Sequence, residues 1–72
     1  MHAPIELLDV VALARDMPEA GLRRGQVGTV VEVLPPDAFE VEFSDDDGRA
    51  YASLAVRADR LIVLHYAPAS AA

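Results

Sequence analysis

The run Gln26-Val27-Gly28-Thr29-Val30-Val31-Glu32-Val33-Leu34 does most to limit what this chain can become. It is crowded with β-branched side chains, which lose rotamer freedom in a helix and pack well on a pleated surface, so it reads as a strand. A glycine inside a strand marks a bulge or a close approach of another backbone, and Gly28 holds that place here. Pro35-Pro36-Asp37 then stops the run, because proline has no N–H to give to a ladder. A strand of this kind needs neighbours, and the rest of the chain must supply them.

The neighbours are legible. Phe39-Glu40-Val41-Glu42-Phe43 alternates cleanly, which puts Phe39, Val41 and Phe43 in a core and Glu40 and Glu42 in water. Ser44-Asp45-Asp46-Asp47-Gly48 follows as a turn, with Asp47-Gly48 a strong hairpin signal, and Arg49 to Val56 returns as the partner strand. Arg57-Ala58-Asp59-Arg60 has room for a single 3₁₀ turn before a last strand, Leu61 to Tyr66. Leu7 to Ala14 is ambiguous by period; its paired valines favour a strand from Leu8 to Ala14, after a helical turn begun at Pro4. Between it and the glycine-bearing strand, Arg15 to Gly25 is punctuated by Pro18, Gly21 and Gly25 and reads as a long loop.

Five short strands and little helix in 72 residues point to a small all-β barrel. A two-sheet sandwich of the immunoglobulin type needs ~100 residues. Closure would also remove the exposed edges that such apolar strands otherwise offer to aggregation. Residues 1–66 are expected to form this one domain, and 67–72 a flexible tail. With no cysteine, neither a disulfide nor a thiolate zinc site can reinforce the core.

The segment from Leu22 to Val33 has the form Leu-x-x-Gly-x-x-Gly-Thr-Val-Val-Glu-Val, which resembles the KOW-type and SH3-like small barrels. The flanks sharpen this. Leu8 to Leu13, Asp16 to Leu22, Gly25 to Val33, Phe39 to Phe43 and Leu61 to Leu64 together resemble the small bacterial family catalogued as domain of unknown function 4926, over roughly Ile5 to Tyr66. That resemblance implies a stand-alone SH3-like barrel with no established activity. Similar barrels in the beta subunit of nitrile hydratase, a small photosystem I subunit, and transcription and ribosomal proteins mostly bind macromolecules. Fold-level likeness is a weak guide to function, so the residues must carry the rest.

Chemistry is sparse. Ser44, Ser53 and Ser70 lie in a turn, a strand and the tail, and His2 and His65 are the available bases; no spacing suggests a triad, so no enzyme is expected. Asp45-Asp46-Asp47-Gly48 lacks the alternating ligands and closing glutamate of a calcium loop, and reads as a solvated turn. Gly21, Gly25 and Gly28 match no phosphate-binding spacing and no lysine follows; positive φ or backbone clearance explains them better. No metal and no cofactor are expected.

Charge narrows the partners. Twelve acidic residues against six arginines leave a net charge of −6, which repels phosphate backbones. A KOW-like RNA- or ribonucleoprotein-binding role is therefore the alternative, and nucleic acid is not the expected partner; Arg23 and Arg24 are a local pair, and Phe39 and Phe43 are committed to the core. The N-terminus lacks a basic n-region and the longest apolar run, Leu61 to Leu64, is far short of the ~20 residues of a membrane span, so a soluble cytoplasmic protein is expected. The reading that fits best is non-enzymatic protein binding to a basic partner, of an antitoxin, immunity or accessory-subunit kind, with a homodimer through a strand edge also open. The contact residues expected are Asp16, Pro18, Glu19, Leu22, Arg23 and Arg24 of the loop, with Glu40, Glu42, Asp45, Asp46 and Asp47 as a second surface. Solubility alone is the competing reading of the acidic surface.

Overall fold

A computed structural model describes residues 4–66. The expected tail at 67–72, with Ser70, and His2 at the other end lie outside the described residues. Five strands run antiparallel in one sheet: β1 (Val10–Leu13), β2 (Val27–Leu34), β3 (Ala38–Ser44), β4 (Ala50–Arg57) and β5 (Leu61–Val63), in the order β4-β3-β2-β1-β5. The all-β reading holds, and so does the short 3₁₀ turn before the last strand, at Ala58–Arg60. A second 3₁₀ turn, Pro18–Ala20, sits inside the long loop, where Pro18 supplies the fixed φ of a first helical position.

β2 is the hinge of the sheet. Its first residues pair with β1 (Thr29 with Val10, Gly28 with Val11, Val27 with Ala12) while Gly28 to Leu34 pair with β3, so one strand serves both halves. Gly28 is buried at the crossing. A Cβ there would stand 2.7 Å from Val41 Cγ1, 2.8 Å from the Glu42 carbonyl oxygen and 3.0 Å from Phe43 Cδ1. The glycine is thus the close approach and not the bulge; the β2–β3 register shifts farther along, between Val30 and Glu32. Both devices increase the curl of the sheet.

That curl gathers one core from all five strands and the loop. Val11, Leu13, Val30, Phe39, Val41, Phe43, Val56 and Leu61 are buried there, joined by Met17 and Leu22. Phe39, Val41 and Phe43 face inward as their alternation requires. The expectation that closure removes the edges is not met. Among the described residues no ladder joins β4 to β5, so the curled sheet keeps an edge on either side.

Two strands are shorter than their apolar runs. β1 begins at Val10 because Leu7 and Leu8 form a turn: Leu8 takes φ 71°, and the Asp9 carboxylate accepts the Glu6 N–H at 2.8 Å. β5 ends at Val63, although the Leu64 N–H still reaches the Val10 carbonyl at 2.9 Å. Its partner strand has run out at the same place.

Gly28→Ala should therefore lower the unfolding free energy by about 1–3 kcal/mol, through overpacking against a backbone carbonyl that cannot retreat. Thermal melts followed by circular dichroism would show this, and a variant as stable as the parent would mean that β2 does not pass this close to β3.

Candidate functional site

The loop between β1 and β2 is a folded element, not a free strap. Met17 and Leu22 exchange backbone hydrogen bonds (2.8 and 3.0 Å) and bury both side chains, at 7% and 3% exposure. Gly21 closes the 3₁₀ turn with φ 72°, a conformation that suits a residue without Cβ. The Arg24 N–H donates to Asp16 Oδ1 at 2.8 Å, and the Gly25 N–H to the Leu13 carbonyl at 2.7 Å. Gln26 then ties the loop to β4: its Oε1 accepts the Arg23 N–H at 2.6 Å and its Nε2 donates to Tyr51 Oη at 2.9 Å.

This placement sorts the expected contact residues. Asp16, Pro18, Glu19, Arg23 and Arg24 are exposed, and Asp16 is also the acceptor that shapes the loop. Leu22 does not present its side chain at the surface; that side chain is part of the core, beside the bridge to Met17. In the turn after β3, Asp45 is structural as well, since its Oδ1 accepts the N–H groups of Asp47 (2.9 Å) and Arg49 (3.0 Å). Asp46 and Asp47 are exposed, with no side-chain bond of their own among the described residues. Antiparallel connection puts this turn and the Asp16–Arg24 loop at the same end of the sheet.

Glu40 and Glu42 lie elsewhere, on the outer face. Glu40 stands directly opposite Glu32 of β2, and Glu42 opposite Thr29. Like charges facing each other across a ladder destabilise it. Relief is slight: Ser53 Oγ donates to Glu40 Oε2 at 2.9 Å, and the two ion pairs among the described residues, Arg57 with Asp37 and with Asp59, leave this stripe untouched. Glu32 belongs to the surface and escaped the sequence reading, because pairing register is invisible from one strand alone.

A second feature also escaped it. Beyond Thr29 the same outer face turns apolar across β2, β1 and β5: Ala12 lies between Val27 and Ile62, and Val10 beside Thr29. Val27 and Ile62 are 44% and 52% exposed. The signal was present in Leu61-Ile62-Val63-Leu64, since four apolar residues in a row must put side chains on both faces of a strand.

Reactive groups are dispersed. Among the described residues no three His, Asp or Glu side chains are grouped to hold a metal ion. An open groove of about 750 Å³ is lined by Ile5, Pro36, Phe39, Leu61, Val63 and His65, among others. No helix among the described residues is long and apolar enough to cross a membrane.

The molecule is thus a small all-β protein built on a five-stranded antiparallel sheet. Residues 7–63 match the family model described as Domain of unknown function (DUF4926), and the chain belongs to that family. No curated protein and no solved structure matches it.

Asp45→Ala should cost about 1 kcal/mol of stability by leaving two turn N–H groups without their acceptor. Asp46→Ala should stay within ~0.5 kcal/mol of the parent, as an exposed substitution. Equal melting curves for the two variants would contradict the structural role of Asp45.

Proposed function

We propose that this protein is a non-enzymatic binding module for a basic protein partner, in the manner of an antitoxin, an immunity protein or an accessory subunit. One observation carries the reading: along β2, a row of carboxylates adjoins an exposed apolar surface. Glu42, Thr29 and Val10 follow one another across three neighbouring strands, with Glu32 and Glu40 on one side and, on the other, exposed Val27 and Ile62 flanking the buried Ala12.

Each half favours the same kind of partner. Exposed apolar patches bordered by polar groups mark interaction surfaces. Carboxylates held opposite one another cost stability in the free protein, and arginine or lysine from a partner would reverse the sign of that term while speeding encounter. The nucleic-acid alternative has less support. Phe39 and Phe43 are buried, which leaves Tyr51 and Tyr66 as the aromatics for base stacking, and the glutamate stripe repels phosphate.

Affinity capture from the source cells tests this, using the parent beside a Glu40→Gln/Glu42→Gln variant and an Ile62→Ser variant. The expected result is a basic protein retained by the parent and lost from both variants, with retention falling as salt rises. Recovery of the same protein by all three, or of RNA in its place, would overturn the proposal.

A further inference from the structure

The two edges of the sheet are unequal. β5 is three residues long, whereas β4 runs for eight, Ala50–Arg57, and among the described residues pairs with β3 alone. Proteins blunt such edges with proline, lysine, inward charges or a covering loop. From Ala50 to Val56 there is no proline and no charge, and among the described residues no backbone bond reaches these residues from outside the β3 ladder. The register shift between Phe43 and Ser44 disturbs the Tyr51 end and leaves Ala52 to Arg57 regular.

The side chains flanking this edge are as specific as the backbone. On the outer face Ser53 lies opposite Glu42 and Ala55 opposite Glu40, so the edge strand carries small residues beside both acids of its neighbour. On the inner face Leu54 and Ala52, opposite Val41 and Phe43, are half-buried. We infer that the β4 edge takes up an extended segment of the basic partner as an added strand, with lysine or arginine at alternate positions reaching over Ser53 and Ala55 to Glu42 and Glu40. The apolar residues between them would cover Leu54 and Ala52.

The distances allow it. Adjacent strands lie ~4.8 Å apart, so the added strand would sit about 10 Å from β3, within the joint reach of a long basic side chain and a glutamate. Larger residues at 53 and 55 would block that path. Main-chain bonds would supply affinity, and the alternation of basic and apolar residues specificity. A second copy of this chain fits the edge less well. Its own β4 would present serine and alanine where basic groups are needed, and each copy brings a net charge of −6.

The inference rests on the basic-partner reading, and its test separates the two. The probes are an octapeptide of alternating lysine and valine and its block isomer, four lysines followed by four valines. Each is titrated into ¹⁵N-labelled protein while amide shifts and hydrogen exchange are followed. The alternating peptide should bind at least tenfold tighter than its isomer, shift β4 amides and slow their exchange. Ser53→Lys/Ala55→Lys, exposed changes whose folding the same spectra report, should weaken it at least tenfold. If both peptides bind equally, or the shifted amides lie on β1, β2 and β5, the edge proposal falls and the basic-partner reading stands. If neither peptide binds, both fall, and concentration-dependent dimerisation that protects β4 in the protein alone would assign the edge to a second copy.

Discussion

Everything in this fold depends on how closely β2 passes over β3 at Gly28. The space a side chain would need is filled by Val41, Phe43 and the Glu42 carbonyl, so the two strands meet at a distance that only a residue without Cβ permits. The curl begins there and the register shift after Val30 continues it. One consequence is a single core that reaches from Val56 of β4 to Leu61 of β5 in a chain this short. Met17 and Leu22 complete it from the loop, which is why a stretch rich in glycine and polar residues is nonetheless held in place.

The curl stops short of closure, and that shapes the surface. Among the described residues an edge strand of eight stays unpaired on one side, and the outer face divides into a carboxylate half and an apolar half. Neither half is what folding alone would select: opposed glutamates cost stability, and exposed valine and isoleucine invite association. The proposed partner, bringing cations and burying apolar area, would account for both at once. Solubility explains acidic residues in general, but not their placement opposite one another.

Much of this could be read from the residues, and the failures have physical causes. Strands with strict alternation, such as Phe39 to Phe43, announce their inner face, and Asp47-Gly48 announces its turn. Gly28 announced an exception without saying which, since a bulge and a close approach leave the same mark on one strand. Leu22 looked like a loop residue because a two-residue bridge has no sequence period, and only the pairing with Met17 shows that it is drawn inward. The pairing of Glu32 with Glu40 and the row through Val27, Ala12 and Ile62 depend on register, which a single strand does not encode. Edges are harder still, because whether a curled sheet closes depends on the length of its last strand, and β5 ended when β1 did.

Native-state hydrogen exchange of the free protein, resolved by residue, bears most directly on the unclosed sheet. Amides of Val30, which donates to the Asp9 carbonyl at 2.9 Å, and of Val41, both with fully buried side chains, should exchange slowest, near the rate set by global unfolding. Along β4 protection should alternate, slow where an amide points to β3 and fast where it points away. Uniform protection from Ala52 to Arg57 would mean that this edge is already covered, and a sheet that curls without closing would no longer describe the molecule.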